Sequence, residues 1–180
     1  MMRDGVRDSS RDYACGFAPV TGGQSARILI LGSLPGQVSL QRGQYYAQPQ
    51  NAFWRLMGEI FQAGPELGYE ARLRRLTAHG VAVWDVCAAA ERRGSLDSAI
   101  VPASVAVNDF AAFFREHPEL RMIGFNGATA ERLFARHVRP DVADLLEHVR
   151  CVRLPSTSPA HATMSYADKL AAWRLLRAAA

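Results

Sequence analysis

Residues 31–54, LGSLPGQVSLQRGQYYAQPQNAFW, concentrate side chains able to act on a flat ring and carry one charge, Arg42. Asn51 follows Pro49-Gln50 and heads an amphipathic stretch. Its amide oxygen suits either a helix N-cap or the orientation of a water molecule. Tyr45 and Tyr46 are either core edge or a stacking platform, and Phe53 and Trp54 behind them read as core. Gly32, Ser33, Pro35 and Gly36 form a tight turn whose glycines let backbone N–H groups approach an anion or a developing negative charge. The turn lacks the G-x-G-x-x-G and G-x-x-x-x-G-K-[ST] spacings, which excludes a dinucleotide fingerprint or a P-loop.

Two further positions carry chemistry. Asp85 ends an apolar run directly after Trp84. A carboxylate there accepts hydrogen bonds only, and either caps the following loop or receives a ring N–H inside a pocket. LPSTSPAHA, residues 154–162, gathers Ser156, Thr157, Ser158 and His161 among prolines. Hydroxyls and backbone amides in so stiff a loop suit phosphate oxygens. The alternative is a plain strand-to-helix connection ending in Ser165 as N-cap.

The elements that must position these groups follow from apolar periodicity. RILILG (27–32), VAVWDV (81–86) and LRMIGF (120–125) are near-continuous apolar runs, as strands covered on both faces require, while VRCVRL (149–154) alternates and suits an edge. Helical periods run over 51–62, 68–79, 105–117, 127–138 and 166–179. Strand alternating with helix predicts an α/β fold: a three-layer α/β/α sandwich around a four-stranded, mostly parallel sheet with right-handed crossovers. Ligands in such sheets bind beyond the carboxyl ends of the strands, where all four loops containing the residues above must converge.

With 180 residues, 49% of them hydrophobic, the chain suits one domain over residues 26–180 preceded by a loose segment, 1–25. No apolar run reaches the roughly 18 residues of a membrane span, and the charged N-terminal stretch does not read as a signal peptide, so a soluble, cytoplasmic protein is expected. Cys15, Cys87 and Cys151 are far apart, no C-x-x-C occurs, and no His/Asp/Glu/Cys cluster has ligand spacing, so free, mostly buried thiols, no metal and no cofactor are expected. A net charge of +4 favours a polyanionic partner. Of the 21 basic residues all but Lys169 are arginine. Arg42, Arg92 and Arg93 fall on rim loops as candidate phosphate contacts.

Taken together, G-S-L-P-G, Y-Y-A-x-P-x-N-A-F-W, W-D-V-x-x-x-x-E-R-x-G-S-L-D-S-x-I, F-N-G and P-S-T-S-P-A-x-A over residues 26–175 resemble the hypoxanthine-DNA glycosylase branch of the uracil-DNA glycosylase superfamily. The resemblance implies a monomeric enzyme that flips a deaminated base, hypoxanthine or uracil, out of DNA and hydrolyses its glycosidic bond. It makes Gly32, Ser33 and Leu34 part of the loop that cups base and sugar, with Tyr46 stacking on the base, Phe53 beside it and Asp85 reading the base edge. Ser156, Ser158, Pro159, Ala160 and His161 match the loop that pinches phosphates and wedges into the duplex. Relatives in other branches carry Asp or Asn at the position of Leu34 to handle water. In the hypoxanthine branch that role passes to the asparagine of N-A-F-W, here Asn51.

A strand-cleaving lyase would ordinarily need an amine near the sugar, and Lys169 lies on the predicted last helix, so a monofunctional glycosylase is expected. Two rivals remain: a catalytically silent nucleic-acid-binding module of the same fold, and a serine hydrolase using Ser156 or Ser158 with His161. The hydrolase lacks a G-x-S-x-G elbow.

Overall fold

The structure, a computed structural model, describes residues 12–23 and 26–180. In chain order its elements are β1 (Tyr13–Cys15), β2 (Ile28–Gly32), α1 (Gln37–Arg42), α2 (Phe53–Phe61), α3 (Tyr69–Ala78), β3 (Val81–Asp85), β4 (Cys87–Glu91), β5 (Ala106–Val107), α4 (Phe110–Glu116), β6 (Met122–Asn126), α5 (Ala128–His137), α6 (Arg139–Val142), β7 (Arg150–Leu154) and α7 (Tyr166–Trp173). Short 3-10 turns add to these, the last continuing α7 over Arg174–Ala178.

The four apolar runs form one sheet in the order β3-β2-β6-β7, every pairing parallel. Every residue of β2 and β3 is buried, which explains their unbroken apolar character, whereas the arginine-bearing β7 takes an edge. Successive residues of β6 face opposite layers, as the period of a strand demands. Phe125 packs on Phe134 of α5, with ring centroids 5.2 Å apart, and the backbone at Gly124 closes on Leu176 beyond α7. Helices α2, α3 and α7 make one layer and α4, α5 and α6 the other. The chain leaves β2 toward β3 and later returns to the opposite side of β2 with β6. A crevice therefore opens between the ends of β2 and β6, the switch point of the sheet.

A second sheet was not expected. β1, β4 and β5 pair antiparallel, with a register shift between Cys87 and Ala89. Residues 87–91, read as loop, are thus a strand, and the helix expected from 105 begins only at Phe110, where Asp109 accepts the N–H of Ala112 as its cap. The segment expected to be loose through residue 25 is anchored where it is described: Tyr13–Cys15 pairs with β4, and Val20 bridges to Val83. The rest of that expectation, residues 1–11, 24 and 25, lies outside the described residues. Of the thiols expected to be buried, Cys87 is, Cys151 is partly covered and Cys15 is exposed.

Trp173 ties the α2–α7 layer to the functional edge. It is fully buried, lies edge-on to Phe53 at 6.0 Å, and donates its indole N–H to the carbonyl of Pro155 at 2.9 Å. Trp173→Ala should lower stability by about 3–5 kcal/mol in urea denaturation, through lost burial and the cavity left behind. Trp173→Phe, which keeps most of the ring, should lose only about 1 kcal/mol for the hydrogen bond.

Candidate active site

The carboxyl ends of β2, β3, β6 and β7 enclose a cavity of about 860 Å³. Its floor is set by Gly32. A Cβ on this residue would stand 2.2 Å from Asp85 Oδ1 and 3.2 Å from Tyr46 Oη, so only glycine lets β2 pass beneath both groups. Asp85, paired in register with Gly32, is 3% exposed, and its Oδ2 has no hydrogen-bond partner among the described residues. Burial pushes its carboxyl up to about 7, the neighbouring Asp97 adds to the rise and Arg92 opposes it. Its backbone carbonyl accepts from Asn108 Nδ2 at 2.8 Å, which fixes the strand end without using the carboxyl. The alternative in which Asp85 caps a loop therefore finds no support among the described bonds.

The long loop after α1 is pinned at many points, which is why it tolerates so many aromatics. The N–H of Tyr45 donates to Tyr69 Oη, the indole N–H of Trp54 to the Tyr45 carbonyl, and the N–H of Ala47 to Ser39 Oγ, each at 2.9–3.1 Å. The pinning holds Tyr46 at φ 54°, a left-handed conformation unfavourable for a bulky residue and frequent at functional sites. One face of its ring lies on Phe53, with centroids 3.8 Å apart and planes 18° from parallel. Its hydroxyl is buried with no hydrogen-bond partner among the described residues, and the residue lines the cavity. Phe53, expected in the base-binding wall, is fully buried behind Tyr46 and is no part of the lining. Its role is to back the platform.

Asn51 stands one residue before the N-cap of α2, which is Ala52 and carries no side-chain cap bond, so the N-cap reading does not hold. Its Oδ1 accepts the N–H of Phe53 at 3.0 Å, a turn that leads into the helix, and the residue lines the cavity. This bond fixes the amide plane, leaving a second lone pair and the Nδ2 hydrogens available. The N–H of Ala52 donates to the carbonyl of Thr157 at 3.0 Å, joining this turn to the loop after β7.

In that loop Thr157 is the structural member. It is 1% exposed, and it exchanges two 2.9 Å bonds with the side chain of Asn126 at the end of β6. Ser156 and Ser158 accept N–H groups two residues on, from Ser158 and Ala160, and line the rim together with Pro159, Ala160 and His161. Lys169, expected away from the rim, lies directly beneath it. It is buried and donates to the His161 carbonyl at 2.8 Å, though it does not line the cavity.

The arginines divide. Arg42 and Arg93 are exposed and do not line the cavity. Arg92 cannot be a phosphate contact: it is 3% exposed, and its guanidinium donates to the carbonyls of Leu34, Pro35 and Gly94. It braces the glycine turn from behind. Arg153, read only as a polar edge residue, reaches the cavity wall and pairs with Glu131 at 2.6 Å. Sequence reasoning also passed over Asp97, which lines the cavity and accepts from Ser33 Oγ at 2.6 Å, and Asn126. Each stood inside a motif that had been noted, G-S-L-D-S and F-N-G.

Arg92→Ala should destabilise the protein by about 3–5 kcal/mol in urea, because it strands buried carbonyls and removes the cation facing two buried acids. Arg93→Ala should leave stability nearly unchanged. Asp85 gives a pH signature. Its native carboxyl titrates above the ordinary value of 3.8, so its contribution to stability is full below about pH 4 and is lost as pH rises through about 7. Asp85→Asn should therefore gain melting temperature relative to the unmodified protein at about pH 8 more than at about pH 5.

Comparison with known proteins agrees with this geometry. A curated protein of Methanosarcina acetivorans named hypoxanthine DNA glycosylase is 42% identical over 108 residues, 59% of this chain and 67% of its own length. A protein of the same name from Methanosarcina barkeri is 40% identical over 113 residues, 62% of this chain and 70% of its own length. A solution NMR structure of a candidate uracil DNA glycosylase from M. acetivorans superposes with a TM-score of 0.73 at 34% identity, covering 91% of this chain and 98% of that one. The family model of the uracil DNA glycosylase superfamily matches residues 19–177, and the chain belongs to that superfamily.

Proposed function

We propose that the protein is a monofunctional DNA N-glycosylase that extrudes a deaminated base, hypoxanthine or uracil, and hydrolyses its bond to deoxyribose. The observation that carries this reading is the juxtaposition of an aromatic platform with an unpartnered buried carboxyl in one cavity at the switch point of the sheet. Buried polar atoms without partners are rare, and one that lines a cavity is available to a ligand. The names of the Methanosarcina relatives point the same way.

A base lying on the free face of Tyr46 directs an edge at Asp85. Hypoxanthine and uracil carry a lactam N–H beside a carbonyl; adenine and cytosine present a lone pair at the same ring position. The ionised carboxylate accepts the N–H and repels the lone pair. An unpaired polar contact of this kind costs about 1–3 kcal/mol, or roughly tenfold to hundredfold in preference. The remaining discrimination comes from extrusion, which is easier for a mismatched deaminated base than for a paired normal one.

As the glycosidic bond breaks, the sugar gains cationic character and negative charge gathers on the departing base. Backbone N–H groups of the Gly32–Gly36 turn, held by Arg92, are placed to stabilise that charge. Asn51, its amide plane fixed by the Phe53 N–H, orients the water that captures the sugar. The amine of Lys169 lies outside the lining and is held by the His161 carbonyl, which supports release without strand cleavage. Arg42, Arg93 and the rim from Ser156 to His161 would contact the DNA backbone.

The test uses matched oligonucleotides carrying a single hypoxanthine or uracil, with alkali to reveal abasic sites. Base release is expected, with strands intact until alkali is added. Asn51→Ala should slow release by about a hundredfold, within the range of a positioned catalytic group. Asn51→Ser, which keeps an oxygen able to accept the Phe53 N–H but no amide, should be equally slow if the amide handles water. Full activity in the serine variant would reduce Asn51 to a turn residue, and no release by the unmodified protein would leave a silent binding module.

A further inference from the structure

Within the proposed glycosylase, we infer that Asp97 is a second catalytic carboxyl, the group that faces the sugar and accepts the proton of the attacking water. Several observations converge on it. Asp97 comes from the segment after β4, remote in sequence from the Asn51 loop, yet both line the same cavity. Ser33 Oγ donates to its Oδ1 at 2.6 Å, which fixes the carboxyl of a residue that lines the cavity. The next residue, Leu34, lines the same wall with no polar side-chain atom, so the charge on this side of the cavity comes from Asp97. Asp85 is the independent sign that the cavity is built for a ligand, since it is nine-tenths buried, lines the same space and has an unpartnered oxygen.

The two acids are not equivalent. Asp85 lacks a partner for Oδ2 and shares its surroundings with a second acid. Asp97 receives a hydroxyl hydrogen bond; burial raises its carboxyl, and that bond, Arg92 and Arg132 offset part of the rise. Two carboxyls in one site whose environments separate them can take separate tasks, one on the leaving group and one on the opposite charge. In the step assigned here the C1′–N bond breaks and its electron pair leaves with the base. Water oxygen forms the new bond to C1′, and its proton passes to Asp97 Oδ2. The base anion then takes a proton from solvent, and Asp97 returns its own to solvent. Fixed negative charge beside a forming sugar cation lowers the barrier without reorganisation, as other preorganised charges do.

Asp97→Asn is the decisive variant, because an amide oxygen still accepts from Ser33 and holds the loop while the charge is gone. Single-turnover release from hypoxanthine- or uracil-containing duplex should fall by about a hundredfold, with DNA affinity and urea stability close to those of the unmodified protein. Asp97→Gly should be equally slow and regain part of its rate in added formate, which a purely structural role would not allow. Release by Asp97→Asn within about threefold of the unmodified protein would overturn the assignment while leaving the glycosylase reading intact. If the unmodified protein releases neither base, both readings fall together.

Discussion

The buried guanidinium of Arg92 is the constraint around which the site is organised. Taking an arginine out of water is costly unless its donors are met and its charge is faced, and here both conditions are fulfilled by the groups that make the cavity. Its N–H groups go to the carbonyls of Leu34, Pro35 and Gly94, two of them in the turn that closes β2. Its charge opposes the rise in both Asp85 and Asp97. The turn whose carbonyls meet Arg92 also lines the cavity, so the arginine holds that wall from behind. One residue outside the lining thus sets the shape of the turn and the electrostatic balance of two acids.

A second column of contacts works from the other side of the sheet. Trp173 packs on Phe53, Phe53 backs Tyr46, and Tyr46 lines the cavity. The same indole holds Pro155, and the loop that follows is fastened by Asn126 to β6, by Ala52 to the start of α2 and by Lys169 to α7. The loop that carries the rim hydroxyls is therefore locked at its base by backbone and side-chain bonds, while Pro159, Ala160 and His161 stay exposed. Rigidity beneath and exposure above suit a segment that must meet a large, charged polymer without deforming.

What could be read in the sequence and what could not have separate physical causes. The four long strands announced themselves because burial on both faces demands unbroken apolar runs, and their ends located the site because ligands gather at the carboxyl edge of a parallel sheet. Cys87–Glu91 escaped notice because CAAAE has neither β-branched residues nor alternation; its pairing is imposed by β1 and β5. Arg92 was misplaced because an arginine in a polar segment carries no local sign of burial: its partners lie almost sixty residues earlier. Phe53 and Tyr46 are seven residues apart and both aromatic, and only the left-handed turn at Tyr46 decides which meets the ligand and which supports it.

The placement of acids shows how a cavity lined largely by apolar and neutral groups acquires direction. Asp85 lies at the floor beside Gly32, in register on the neighbouring strand, and Asp97 sits beside Ser33, one residue past the end of β2. A ligand lying between them meets two carboxyls in different surroundings, one with an oxygen that has no partner among the described residues and the other held by a hydroxyl. Uniform polarity would bind a neutral base and a cationic sugar equally well in ground and transition states, with no gain in rate. An asymmetric pair favours the state in which charge has separated along that axis, negative toward the base and positive toward the sugar. The fold makes this asymmetry cheaply, because adjacent strand ends and one hydroxyl bond are enough to give the two carboxyls different positions and different partners.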